Sequence, residues 1–371
     1  MNQLKAAQEL GQSIWLDFIQ RNLITSGKLE RLMKDGLRGL TSNPTIFYKA
    51  IATSDDYDDT LISLVKSSPD ANAEALYEHL AIEDIQMAAD ILRPVYDASG
   101  SADGLVSLEI SPHLAYDTRG TIAEARRLWQ LANRPNIMIK VPSMPAGVPA
   151  IETLTAEGIN INVTLMFSLK HYEAVSQAYI RGIARNRNPK QVASVASFFV
   201  SRVDTYADRE LEKIGTPEAL ALRGKAAVAN SKIVYQRFRQ VFYGQPFAAQ
   251  RERGARVQRL LWGSTSTKNP AYSDVLYVKG LIGSDTVNTM PLETLDAFRD
   301  HGQVHPTLNE GIEEAKQVLA RLAKVGVKLE GITEQLQEDG IKAFADSFDQ
   351  LLAALEKKRN VVVGSKHRPK P

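Results

Sequence analysis

A chain of 371 residues, 44 % hydrophobic and 24 % charged, has the composition of a globular protein large enough for one big α/β barrel or two domains. With 45 basic against 43 acidic side chains the formal charge is only +2, which argues against nucleic acid as a partner and leaves room for a local anion site. The absence of cysteine excludes disulfides, thiolate catalysis, iron–sulfur clusters and sulfur-ligated zinc, and the 6 histidines are scattered without metal-ligand spacing.

In chain order, Leu4–Leu10 reads as a short amphipathic helix and Ile14–Phe18 as a first strand that stops near a carboxylate. Asn22–Met33 reads as helix, and Leu37–Leu40 as a second strand running into a polar turn closed by Pro44. The acidic segment Ser54–Asp59 is expected to be exposed, ahead of a long helix over Asn72–Tyr96. Leu105–Ile110 alternates as the third strand, Thr121–Leu131 is helical, and the fourth strand lies at Asn136–Pro142. A helix at Ala150–Ala156 leads to the fifth strand, Ile159–Leu165, followed by helix Leu169–Asn186 and the sixth strand, Val192–Ser201.

A charged helical region through Ile214 and a second helix over Glu218–Phe242 come next, then the seventh strand at Val257–Trp262. Tyr272–Val278 reads as a short helix, Asp285–Thr289 as an eighth strand and Pro291–Phe298 as helix. Thr307 with Glu310 has the spacing of a capping box for a helix to about Ala323, and Ile341–Lys358 carries one apolar face. Eight strands alternating with helices predict an α/β fold, a (β/α)8 TIM barrel with additional N- and C-terminal helices. No Gly-x-Gly-x-x-Gly turn or P-loop supports the competing open sheet. No linker interrupts the pattern, so a single domain over 1–371 is expected, with extra helices at roughly 1–12 and 307–360 and a frayed basic tail at 361–371. Met1–Trp15 lacks the apolar core of a signal peptide and no run is long enough to span a bilayer, so a cytoplasmic protein away from membranes is expected.

The stretch Asn136–Pro142 places one lysine, Lys140, inside an apolar strand. Removing an unpaired ammonium from water costs several kcal/mol or drives off its proton, and a neutral lysine amine condenses with carbonyls to a Schiff base. The plainer alternative is a lysine whose stem packs on apolar neighbours while its head reaches solvent. Strand ends of a barrel converge on one mouth, and here they supply Asp17, Asn43, Glu109, Lys140, Asn162, Thr164, Ser197, Arg202, Ser264 and Lys268. Each alone has a structural reading, Asp17 as a helix cap or Asn43 as a turn residue before Pro44 among them. Together they suit a lysine nucleophile, carboxylates that move protons, amides and hydroxyls for a polyhydroxylated substrate, and Arg202, Ser264 and Lys268 for a phosphate. The chemistry is that of a class I aldol-type enzyme acting on a sugar phosphate.

Several segments make the sequence similar to a known family: 39–47 (GLTSNPTIF), 106–109 (VSLE), 139–142 (IKVP) followed by Gly147, 161–168 (INVTLMFS), 197–204 (SFFVSRVD) and 286–291 (TVNTMP). Over Leu16 to about Leu355 the chain resembles the transaldolases, in particular their longer bacterial and cyanobacterial-type branch. The resemblance implies that Lys140 forms the Schiff base, that Asp17 is the acid/base of the first strand, and that Glu109 with Thr164 handles the catalytic water. Asn43, Asn162 and Ser197 then hold the dihydroxyacetone portion, while Arg202 and Ser264 hold phosphate. The implied reaction moves a dihydroxyacetone unit from sedoheptulose 7-phosphate to glyceraldehyde 3-phosphate in the non-oxidative pentose phosphate pathway, giving erythrose 4-phosphate and fructose 6-phosphate. It implies no metal or organic cofactor, small-molecule sugar phosphates as partners, and a monomer or homodimer.

The chain departs from the family at Ser266, where shorter transaldolases carry an arginine two residues after the phosphate-binding serine. Lys268 is the nearest cation, a point charge without arginine's planar fork. Two rival readings are an aldolase that releases dihydroxyacetone from fructose 6-phosphate into water, and a non-catalytic sugar-phosphate-binding protein.

Overall fold

The computed structural model describes residues 2–365; Met1 and Lys366–Pro371, which make up most of the expected frayed tail, lie outside the described residues. Eight parallel strands close into a barrel in sequence order: β1 Gln12–Asp17, β2 Gly39–Thr41, β3 Leu105–Glu109, β4 Ile137–Pro142, β5 Ile161–Met166, β6 Ser194–Phe199, β7 Arg259–Gly263 and β8 Thr286–Met290. Closure is made by β8 against β1, with Gln12 opposite Thr286 and Leu16 opposite Met290. Helices cover the outer face, so strands such as β4 are buried along their whole length and read as apolar runs.

The barrel interior is filled, not hollow. Trp15, Leu105, Met138, Ala193, Val195, Leu261 and Val287 form a cluster of their own, separate from the main core between strands and helices. Trp15 fixes its neighbour's identity: a Cβ on Gly39 would lie 2.5 Å from two carbons of the Trp15 ring. Beyond the barrel, one helix over Leu329–Ser365 packs on the helices Pro44–Ala52 and Ala73–Ala98 and on the helix Ser201–Ile214. Among the described residues no helix is long and apolar enough to cross a membrane.

Several expectations need correction. The sixth strand ends at Phe199 rather than at Ser201, so Ser201 and Arg202, which follow it, are the first two residues of helix Ser201–Ile214. The continuous helices expected over Asn22–Met33 and Glu218–Phe242 are broken at Gly27 and Gly224, whose φ values of +73° and +69° no helix interior tolerates. The short helix expected at Tyr272–Val278 lies at Leu276–Gly280. The segment Ser54–Asp59 is not wholly exposed: Tyr57 is buried and donates a 2.7 Å hydrogen bond to Asp84. Thr307 and Glu310 form no capping box. The Thr307 hydroxyl donates to the Lys279 carbonyl at 2.8 Å, and the helix Ile312–Lys324 begins after Gly311, without a side-chain cap. The final helix is longer than Ile341–Lys358 because Gly331 and Gly340 do not interrupt it, Gly340 giving the Leu165 side chain room.

Candidate active site

Alternation along the strands carries the barrel from an apolar plug to a polar mouth. Two residues beyond Trp15, Leu105, Met138, Val195 and Val287, the same inward face presents Asp17, Ser107, Lys140, Ser197 and Thr289. Above them lies a cavity of about 580 Å³, lined by Asp17, Thr41, Asn43, Lys140, Thr164, Ser197, Arg202, Ser264, Lys268 and Thr289 among others. That volume suits a small polar metabolite.

Lys140 is 4 % exposed. Its Nζ donates to the Ser42 carbonyl at 2.9 Å and stands 3.0 Å from Glu109 Oε2. Strand register makes the second contact, since Glu109 of β3 is directly opposite Lys140 of β4. Burial pushes the Glu109 carboxyl above its ordinary range; Lys140 opposes the shift and Asp17 adds to it. Asp17 is pushed up as well, mainly by burial, against the pull of Lys140, a hydrogen bond from Thr41, and the more distant Arg202 and Lys268. The Thr41 hydroxyl lies 2.8 Å from Asp17 Oδ1 and 2.8 Å from the Thr289 hydroxyl, so three strands hold one carboxylate in place.

The amides have structural partners too. Asn43 caps helix Pro44–Ala52 by accepting from the Ile46 N–H at 3.0 Å, while still facing the cavity. Asn162 is wholly buried: its amide donates to Ser107 Oγ at 3.0 Å, and its oxygen accepts from Ser197 Oγ at 2.6 Å. Thr164 lines the cavity, and its hydroxyl has no hydrogen-bond partner among the described residues. The next residue, Leu165, sits at φ +62°, an unusual conformation for a bulky side chain. Its carbonyl is held by Ser143 at 3.0 Å and by Gln337 of the terminal helix at 3.1 Å.

Across the mouth the groups are cationic. Arg202 has no hydrogen bond or ion pair among the described residues; its guanidinium lies 5.3 Å from the Phe199 ring centre, and burial lowers its pKa. Five unpaired donors beside a cavity call for an anion. Ser264, at φ +53°, places its hydroxyl 3.0 Å from that of Ser201, where helix Ser201–Ile214 begins without a side-chain cap. Lys268 Nζ donates to Ser266 Oγ at 2.6 Å, and burial, then Arg202, lower its pKa. Among the described residues no group of three or more His, Asp or Glu is placed to hold a metal ion.

Of the ten candidates, eight line this cavity; Glu109 and Asn162 stand behind it. Sequence reasoning missed Thr41 and Thr289, which the alternation of Gly39–Thr41 and Val287–Thr289 signals, and Lys49, one helical turn and a half beyond Asn43. Nothing local signals Phe344, which reaches the cavity from the terminal helix and lies with its ring centre 5.9 Å from Lys140 Nζ.

The transaldolase/fructose-6-phosphate aldolase family pattern matches residues 14–355, nearly the whole barrel and most of the terminal helix. The chain belongs to this family. A transaldolase of Thiobacillus denitrificans (strain ATCC 25259 / T1) is 50 % identical over 360 residues, covering 96 % of this chain and 100 % of that protein. A transaldolase of Frankia alni is 46 % identical, over 95 % of this chain and 96 % of its own length, and Transaldolase 2 of Nostoc sp. is 43 % identical, over 96 % and 98 %.

Proposed function

We propose that this chain, an enzyme of the transaldolase type working through a Schiff base on sugar phosphates, transfers a dihydroxyacetone unit from sedoheptulose 7-phosphate to glyceraldehyde 3-phosphate, giving erythrose 4-phosphate and fructose 6-phosphate. The observation that carries the reading is Lys140, buried in the barrel with Glu109 at 3.0 Å and its head at the floor of the cavity. The Lys140 amine adds to the C2 carbonyl of the ketose. Glu109 gives a proton to the departing C2 hydroxyl, and the iminium that remains draws electrons from the C3–C4 bond. Asp17 takes the C4 hydroxyl proton as that bond breaks, and the aldose phosphate leaves. The three-carbon enamine stays attached until the acceptor aldehyde arrives, when Asp17 returns the proton.

Asn43, Asn162 and Ser197 hold the three-carbon unit, and Thr164 shares the reaction water with Glu109. Arg202, Ser264 and Lys268 hold the phosphate, a role supported by the unpaired Arg202 donors. A cytoplasmic location belongs to the same reading. The test is borohydride reduction with fructose 6-phosphate, which is expected to add mass at Lys140 alone and to fail in Lys140→Ala. Adduct on Lys268 or Lys279 would overturn the assignment of the nucleophile. Free dihydroxyacetone accumulating without an acceptor aldehyde would favour simple cleavage over transfer.

A further inference from the structure

The cavity is lined by one cation to which neither the Schiff base nor the phosphate has yet given a role. Lys49, in the last turn of helix Pro44–Ala52, is exposed, and its ammonium makes no hydrogen bond or ion pair among the described residues. Asn43, Ile46 and Lys49 follow at intervals of three along one helix face, and all three line the cavity. Helical side chains lean toward the helix N-terminus, so Lys49 leans back to the mouth, where Asn43 starts the helix. The plainer role is a solvated lysine favoured near a helix C-terminus by the backbone dipole. Its neighbours argue for more. Besides the reacting groups Lys140 and Asp17, the charged residues lining the cavity are Arg202, Lys268, Lys49 and one carboxylate, Glu293. Their excess of two positive charges matches a phosphate ester, which carries about −1.5 to −2 near pH 7. Arg202 is half-buried, whereas Lys268 and Lys49 are exposed, so the cations run from the interior to the rim. Lys268 is within electrostatic reach of both others: burial lowers its pKa, then Arg202, and Lys49 adds to the same shift while Glu293 opposes it.

With C2 of the ketose fixed on Lys140, chain length sets how far out the phosphate lies. Fructose 6-phosphate carries it on C6, and sedoheptulose 7-phosphate on C7, one carbon farther from the imine. The acceptors repeat the difference, because their aldehyde carbon becomes C4 of the ketose. The phosphate of glyceraldehyde 3-phosphate therefore takes the C6 place and that of erythrose 4-phosphate the C7 place. We propose that Lys49 is a specificity-determining residue for the outer of these places, meeting the phosphate of the seven-carbon chain and not that of the six-carbon chain. Arg202 and Ser264 serve the inner place, and Lys268, between Arg202 and Lys49, serves both.

The inference rests on the transaldolase reading and deepens it. Its test is kcat/KM of Lys49→Gln for each of the four sugar phosphates, compared with the wild type. Sedoheptulose 7-phosphate and erythrose 4-phosphate should each lose roughly three- to tenfold, the effect of one exposed charge-assisted contact. They should lose the same factor, because they are substrate and product of one half-reaction, and Lys49 touches nothing of the three-carbon unit that stays behind. Fructose 6-phosphate and glyceraldehyde 3-phosphate should change by less than about twofold, the margin left by screening of an exposed charge. Lys49→Arg, which keeps the charge, should restore most of the loss. A merely structural defect lowers all four values together, and a solvated lysine lowers none; either result would overturn the inference, as would a larger loss on the six-carbon pair. Absence of both carbon transfer and a Lys140 adduct in the wild type would instead sink the transaldolase reading, and this inference with it.

Discussion

Asp17 and Arg202 line one cavity and are expected to fail differently. Thr41, itself in contact with Thr289, holds Asp17 in place, and under the proposed mechanism this carboxylate takes a proton when the carbon–carbon bond breaks. Asp17→Ala should still trap Schiff base with borohydride while losing turnover by roughly 10²–10⁴-fold, the range for a missing general base. Absence of any adduct in a folded variant would move Asp17 to an earlier step. Arg202→Ala and Lys268→Ala should raise KM for fructose 6-phosphate while leaving free fructose nearly unaffected, with the larger effect at Arg202, whose planar donors have no other partner. Some loss in kcat is expected too, because binding energy from the distant phosphate also acts in the transition state. Equal proportional losses on both substrates would show that these side chains do not hold the phosphate.

At the scale of the element, the site depends on packing one layer below it. Asp17 sits two residues above Trp15 on β1, so the position of the indole sets the height of the carboxylate. A methyl group at Gly39 meets the indole at 2.5 Å in an interior without free volume. Gly39→Ala should therefore cost about 1–3 kcal/mol, the usual range for overpacking, and should be visible as an earlier denaturant midpoint. An unchanged midpoint would mean that β1 and β2 adjust more easily than a closed barrel suggests. The terminal helix acts on β5 in a related way: Gln337 holds the strained Leu165 carbonyl just after Thr164, and Phe344 closes over Lys140.

For the whole molecule, we propose that barrel and terminal helix form one domain. The support is how that helix binds distant parts of the chain: Thr45 to Ser347 at 2.8 Å, Gln337 to Ser143 at 2.9 Å, and Tyr206 to Asp339 at 2.5 Å. One cooperative unfolding transition is expected, and two separable ones would defeat the proposal. Its stability should depend on pH through Asp204, which accepts from the Ala227 N–H at 2.8 Å and from Tyr277 at 3.0 Å. Burial is the main cause of its pKa rising from 3.8 to about 7. A carboxyl raised on folding binds more protons in the native state, so stability falls as pH climbs from about 4 to about 7. Asp204→Asn should flatten that slope whatever its effect on absolute stability, and a slope equal to the wild type's would assign the dependence elsewhere.

Short-range pattern was enough to find the eight strands, the barrel, Lys140 and the strand-end polar groups. Strand alternation and apolar runs are imposed residue by residue by burial, and a lysine among Ile137, Met138, Ile139 and Val141 is visible without coordinates. Pattern failed where conformation depends on one backbone angle, as at Gly27 and Gly224, or where a side chain chose a distant partner, as Thr307 chose the Lys279 carbonyl. Closure of the barrel alone decided that Thr289 of β8 supports Asp17 of β1 through Thr41 of β2. Tertiary packing likewise decided that Glu109 also lines a small cleft behind the sheet, and that Phe344, more than two hundred residues after Lys140, lies with its ring centre 5.9 Å from the Lys140 Nζ. Neither has a local signal, because each follows from how helices seat on the finished barrel.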